Sequence, residues 1–295
     1  MDTDEYCREK LAIPGSSYYY STLFLPPERR QALNVVYAFK AEMEDSLLGP
    51  DPGLGRIRLQ WWRDELERTL EGTPQHPLTR GIGRLIARYG LAPADFLAII
   101  ASIERRLNRA HYPSYSDLKH DYLQAAEAPA KLACTITACA QQETPQVVGE
   151  LWAAIDLTYS LQDLRAQVSQ GYLPLPTDEM THYGVVSCSN LSSTTPQIQA
   201  LIALQIARLE HDLTLALARL PDPDRLHQLH TVSMGRIVLA ILNEVQRDGC
   251  RILEYRTTLT PLRKLWIAWS TRRKEINRHR KYLFNYVVTK GSSKA

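Results

Sequence analysis

The chain has 295 residues, 44% hydrophobic and 23% charged, with a net charge of only +3. It is long enough for a sizeable core and too nearly neutral for a field that would gather nucleic acid, so no nucleic-acid partner is expected. The acidic-leaning start MDTDEYCREKLAIPG does not read as a secretory signal, and no stretch approaches the roughly 20 apolar residues of a membrane span.

Helical periodicity dominates from the N-terminus onward. PPERRQALNVVYAFKAEMEDSLL opens with Pro26, Pro27 and Glu28, a good helix start, and GPDPG stops it. LGRIRLQWWRDELERTLEG predicts a second amphipathic helix that ends before Gly72 and Pro74. A third lies in 77–90, a fourth in about 93–110, and a fifth starts at Ser116 or Asp117 and is expected to break or kink at Pro129. The sixth spans 146–170, with Leu157, Leu161, Leu164 and Val168 as its apolar stripe and Gly171 as its stop. Three more cover about 196–220, 226–248 and 261–283, and VVSCS (185–189) is a β-branched patch without a partner. The expectation is one all-α domain over residues 1–295, with a basic C-terminal tail at 270–295. Cys7, Cys134, Cys139, Cys188 and Cys250 form no C-x-x-C pair, which fits reduced thiols in a cytoplasmic protein.

Residues four apart share a helix face, so Tyr37, Ala41, Glu44 and Leu48 line up on the first helix. On the sixth, Trp152, Asp156, Tyr159, Asp163 and Gln167 line up. Two facing carboxylate pairs could hold Mg²⁺ ions that bridge to diphosphate oxygens. Here each pair is incomplete: Glu44 stands one turn from Leu48, and Asp163 one turn from Gln167. The plainer reading pairs Glu44 with Lys40 and leaves Asp163 in solvent.

Four stretches in order resemble the squalene/phytoene synthase family, the head-to-head prenyl transferases, over about residues 14–269. They are SSYYYSTLFLPPERRQALNVVYAFKAEMED, RLQWWRDELERTLEG, DLTYSLQDLRAQVSQGYLPLP and AILNEVQRDGCRILEYRTTLTPLRKLWIA. The resemblance implies an isoprenoid-synthase-like helical bundle around a central cavity. Two prenyl diphosphates would bind there, held by Mg²⁺ on two acidic helices. The chain departs from the family pattern where that chemistry lives. The first acidic motif becomes Glu44-Asp45-Ser46-Leu47-Leu48 and loses its last acid, and a family Arg falls on Ala41. In the second motif, Asn falls on Tyr159, Arg on Gln162 and the last Asp on Gln167, while Asp163 stands as in the family. Ser17, Tyr37 and Arg256 fall at matching positions, and a cavity Tyr falls on Val238.

Ionising a prenyl diphosphate means stabilising a leaving group of about three negative charges in a low-dielectric cavity. Each lost carboxylate or Arg fork removes roughly 10²–10³ in rate. The expectation is therefore a squalene/phytoene synthase-like protein with a depleted metal–diphosphate site, a non-catalytic prenyl- or lipid-binding or assembly protein that needs no cofactor. The alternative is an active, Mg-dependent prenyl transferase. The candidate catalytic residues are Tyr37 and Asp163. The candidate ligand-binding residues are Ser17, Tyr37, Tyr159, Asp163, Gln167 and Arg256, and an incomplete metal set is Glu44, Asp45 and Asp163. Asp163 is expected to have few cations near it and to be held by a hydrogen bond. RLQWWRDELERTLEGTPQHPL and the depleted second motif also resemble the mitochondrial complex I assembly-factor branch, which implies a respiratory-complex client.

Other features read more plainly. His227 and His230 fit a solvated helix face better than a metal site, and RGIGRL has no strand before it to make a phosphate loop. Tyr18, Tyr19 and Tyr20 fit a cavity lining and helix-entry packing equally well. In the C-terminal helix, Trp266 and Trp269 are expected in the core. The basic block Arg272, Arg273, Lys274, Arg278, Arg280 and Lys281 is either solvated or in contact with a membrane surface, which would place a cytoplasmic protein at the periphery of the inner membrane.

Overall fold

The computed structural model describes residues 1–47, 51–109, 111–169, 172–185 and 194–292. Leu48, Gly171, Cys188 and most of the β-branched patch lie outside the described residues. In chain order the helices begin with α1 (Thr3–Lys10), α2 (Ser17–Thr22) and α3 (Pro27–Glu44), the last followed by a 3₁₀ turn at Asp45–Leu47. Next come α4 (Pro52–Leu70), α5 (Pro77–Tyr89), α6 (Pro93–Leu107), α7 (Tyr115–Thr137), α8 (Thr144–Gln162) and the short α9 (Leu164–Ser169) and α10 (Thr177–His182). The chain then runs through α11 (Pro196–Arg219), α12 (Leu229–Arg247) and α13 (Pro261–Ser292). All belong to one all-α domain.

Local chemistry sets many of these ends. Proline opens α4, α5, α6 and α11, where its missing N–H costs nothing. Ser114 and Asp117 form a reciprocal capping box on α7, and α5 stops at Gly90, whose φ of 64° suits a residue without a Cβ. Glu65 is fully buried and accepts from the Gln75 and His76 backbone N–H groups and from the Thr79 hydroxyl, each at 2.7 Å. Burial opposes its charge. The His76 N–H, Thr79 and Arg68 outweigh that and hold its pKa below the ordinary value. The acid of the WWRDEL stretch thus ties α4 to the start of α5.

α8 runs through the middle of the bundle and is buried along nearly its whole length, from Val147 and Val148 to Leu161 and Gln162. α7 packs along it and is not interrupted at Pro129. The alanines beside that proline leave room for α7 to lie close to Gly149 of α8. α3 is buried continuously from Ala32 to Lys40. Its C-terminal end is fixed by a close approach: a Cβ at Gly55 of α4 would sit 2.5 Å from the Ser46 carbonyl oxygen in the 3₁₀ turn. The first acidic helix ends at Glu44 and passes directly into this turn.

α13 corrects the sequence expectation for the tryptophans. Trp266 is 64% exposed and Trp269 46%, and Leu262 and Phe284 also face outward. The buried stripe is Lys264, Ala268, Thr271 and Glu275. Glu275 is gripped by Arg225 at 2.7 Å, a fully desolvated pair, and by Arg236 at 3.0 Å. That ion cluster fixes the rotation of the helix, so the polar residues turn inward and the aromatic ones outward. The basic stretch expected as a tail is the distal part of the same helix.

Candidate active site and ligand cavity

A cavity of about 330 Å³ opens between α3, α8 and the segments around them. Tyr37, Glu44, Asp45, Tyr159, Asp163 and Gln167 all line it, so the two acidic helices share one space. Tyr18 lines it as well, while Tyr19 and Tyr20 pack edge-on against each other.

One wall is aromatic. Tyr37 and Trp152 lie with ring centroids 4.5 Å apart, and Tyr18 meets Tyr37 edge-on at 5.8 Å. Behind them His230 is completely buried, its Nε2 3.4 Å from the Tyr37 hydroxyl and 3.1 Å from Thr231 Oγ1. Burial pushes its pKa down to about 3, so it is neutral at pH 7. This overturns the solvated face expected for the two histidines. His227 is also partly buried, with Nδ1 2.6 Å from the Thr137 carbonyl oxygen. His230 turns inward because α12 packs against α2 and α8, and His227, just before α12, is held by the end of α7.

The opposite wall is a relay of hydrogen bonds. Arg106 donates to the Tyr122 hydroxyl at 2.9 Å, Tyr122 to Ser160 Oγ at 2.8 Å, and Ser160 to Gln167 Oε1 at 2.9 Å. The Gln167 oxygen is thus engaged inside the protein. The Arg106 guanidinium also lies over the Tyr122 ring, 4.4 Å from its centroid, and its buried Nε makes no hydrogen bond but faces the Asp121 carboxylate at 3.8 Å.

Between the walls stand the charges. Lys40 is buried, with its ammonium 2.7 Å from Glu44 Oε1 on its own helix and 3.0 Å from Asp156 Oδ2 on α8. Burial opposes the Lys40 charge, but Asp156 and Glu44 outweigh it and raise its pKa. Burial raises the Asp156 pKa, and Lys40 offsets part of that rise. Asp45 is paired with Lys10. Asp163 terminates α8 and pairs with Arg256, Oδ1 to Nε 3.2 Å, so it has a cation beside it, contrary to expectation. Burial raises the Asp163 pKa and Arg256 opposes the rise. The guanidinium reaches that acid because Gln162 Nε2 donates to the Thr257 carbonyl oxygen at 2.7 Å, tying the end of α8 to the segment that carries Arg256. The expected continuous helix 146–170 divides at this anchored point, with α9 starting afterwards. Ser17 is buried and its side chain interacts with the Tyr159 hydroxyl.

Sequence reasoning missed Lys40, Arg106 and Asp156 as cavity groups. Asp156 was on the right face of α8. Lys40 carried a weaker signal, a lysine inside the otherwise apolar run Val35–Ala41. Among the described residues, no group of three or more His, Cys, Asp or Glu side chains is arranged to hold a metal ion. The residues do not fit a bridging Mg²⁺ in this arrangement, because an ammonium sits between the carboxylates of α3 and α8 that would share it.

Comparison with known proteins gives a consistent family. The model for squalene/phytoene synthase matches residues 12–263. A presqualene diphosphate synthase of Sinorhizobium fredii is 26% identical over 175 residues, 59% of this chain and 62% of that protein. One from Rhodopseudomonas palustris is 28% identical over 190 residues, 63% of this chain and 65% of that protein, so the match spans less than two thirds of either relative. A phytoene synthase of Arthrospira platensis is 22% identical over 282 residues, 90% of each chain. Among solved structures, a dehydrosqualene synthase in complex with ligand superposes with a TM-score of 0.76 at 18% identity, over 92% of this chain and 96% of that one.

Proposed function

The chain belongs to the squalene/phytoene synthase family, and on that premise we propose that it is a cavity protein that holds one isoprenoid or similar lipid chain without divalent metal. The observation that carries this reading is Lys40, whose ammonium bridges Glu44 and Asp156 across the two acidic helices. An apolar chain needs no metal to bind, since each buried CH₂ contributes about 0.8 kcal/mol. The volume of about 330 Å³ lies at the lower end of the usual range for ligand sites, which suits one chain better than two.

Two measurements test it. Farnesol should bind the purified protein in EDTA, read by calorimetry or by Trp152 fluorescence. Incubation with farnesyl or geranylgeranyl diphosphate and Mg²⁺ should give no squalene- or phytoene-like product. Clear Mg²⁺-dependent turnover, abolished by Asp163→Ala, would restore the prenyl transferase reading.

The outer face of α13 supports a partner for this role. Leu262, Trp266, Trp269 and Phe284 are exposed beside the exposed Arg272, Arg273 and Arg280. This combination of apolar anchors and positive charge complements an anionic lipid surface, where each Arg near the surface contributes about 1 kcal/mol. Among the described residues no helix is long and apolar enough to cross a membrane, so the contact would be peripheral. The protein should co-sediment with vesicles containing phosphatidylserine and not with neutral ones, and Trp266→Ala/Trp269→Ala should release it. Absence of vesicle binding would overturn the membrane contact and leave that face to a protein partner, such as a respiratory-complex client.

A further inference from the structure

The acids and cations at the inner end of the cavity balance. Among the lining groups Glu44 and Asp156 carry the negative charge and Lys40 and Arg106 the positive, and behind the lining buried Asp121 also faces Arg106 at 3.8 Å. Arg106 lies 3.9 Å from Glu44. Lys40 is the unusual member. A lysine on a helix surface commonly pairs with an acid one turn away, and such a pair is worth little. This one is only 8% exposed and reaches a second acid on another helix. Its nitrogen stands where a cation shared by α3 and α8 would have to stand.

We propose that Lys40 is a tethered cation that occupies a divalent-metal site, and that Glu44 and Asp156 form that site in latent form beneath it. Both carboxylate oxygens already converge on one nitrogen, at 2.7 and 3.0 Å. A Mg²⁺ or Mn²⁺ ion takes oxygens at about 2.1 Å and commonly uses one or two carboxylates with waters completing its shell. A modest inward movement of two side chains would convert the nest of the ammonium into that of a metal ion. While Lys40 is present, a second cation entering there meets two fixed positive charges and finds both carboxylates engaged.

The inference deepens the metal-free cavity reading and rests on it, and it also names the class of ligand. A lining whose charges cancel internally offers no surplus positive charge to a diphosphate. It suits an uncharged amphiphile, such as a prenyl alcohol, over a charged head group. The Arg106 guanidinium is itself buried and already engaged by Tyr122, Glu44 and Asp121, so it offers no free positive charge to a ligand.

The experiment is Mn²⁺ binding followed by electron paramagnetic resonance on four proteins: wild type, Lys40→Met, Lys40→Arg and Lys40→Met/Asp156→Asn. Wild type and Lys40→Arg should leave Mn²⁺ free. Lys40→Met should bind it at least tenfold more tightly and gain thermal stability when Mn²⁺ is added. The double variant should lose that gain. If Lys40→Met folds poorly alone, Mn²⁺ should restore its native circular dichroism, and failure to do so counts against the proposal. Tight Mn²⁺ binding by wild type or Lys40→Arg, or a gain that survives Asp156→Asn, would overturn it. Farnesol binding by wild type in EDTA is read separately. Its failure alongside the expected Mn²⁺ pattern would remove the lipid reading and leave the role of Lys40 standing.

Discussion

Besides the Lys10–Asp45 pair, two ion clusters neutralise acids that face the cavity, and they differ in their contact with water. The inner one, Glu44–Lys40–Asp156, joins α3 to α8 through an ammonium that is 8% exposed. The outer one, Asp163–Arg256, joins the end of α8 to the segment before α13, with side chains 39% and 56% exposed. Both do the same electrostatic work on paper. In a low-dielectric interior, however, a charge without its partner has no solvent to fall back on, whereas at the rim water replaces a lost partner at little cost. The inner cluster is therefore part of the fold, and the outer one is a contact that a ligand could open.

The largest effect expected from this difference is on stability. Lys40→Ala leaves Asp156, 16% exposed, facing Glu44, 32% exposed, without their shared cation and should cost roughly 2–4 kcal/mol, read from urea unfolding. A cost below about 1 kcal/mol would mean that the inner cluster is as wet as the outer one, and the comparison would collapse.

The next effect is on pH dependence, and it comes from the buried wall behind the inner cluster. The pKa of His230 is pushed down to about 3 by burial, below the ordinary value of 6.5. The native state therefore refuses a proton that the unfolded chain accepts. The stability linked to His230 is fully present above pH 6.5 and is lost as the pH falls from there toward 3. The slope from this one group is about 1.4 kcal/mol per pH unit. His230→Gln should flatten the acid limb of a stability–pH curve between pH 6 and 4. An unchanged limb would place the acid sensitivity elsewhere.

A smaller effect belongs to the rim. Arg256→Ala should change stability by no more than about 1 kcal/mol, and raising the salt concentration should shrink the difference further. A loss of 3 kcal/mol or more would show that the rim pair holds the end of α8 in place as firmly as Lys40 holds its middle.

How much of this could be read from the sequence follows the range of the interactions. The helices were legible because their signals are local: proline at the first turn, glycine after the last, an apolar stripe at helical spacing. The cavity positions of Tyr37, Tyr159, Asp163 and Gln167 followed from residues four apart sharing a face. From the sequence Lys40 reads only as a partner of Glu44, because its second acid, Asp156, lies on a helix far along the chain. The outward turn of Trp266 and Trp269 was illegible for the same reason, since Arg225 and Arg236 decide it through Glu275. His230 turned inward for partners on α3 and α8 that no spacing within α12 announces.

The smallest effect expected is on ligand affinity at the rim, and it separates the two clusters most cleanly. Asp163→Asn removes a charge but keeps an oxygen, and it releases Arg256 into a half-exposed setting where water solvates it. Farnesol has no charge to sense the change, so its affinity in EDTA should stay within about twofold, less than 0.5 kcal/mol. Farnesyl diphosphate carries an anion, and an unpaired guanidinium at the mouth is a planar donor suited to it, so its affinity should rise modestly in the same variant. The opposite pattern would be decisive. If Asp163→Asn abolishes binding of both ligands, or if wild-type binding of either collapses when EDTA is added, then Asp163 serves a working metal ion. Arg256 would in that case be a partner that the ion displaces.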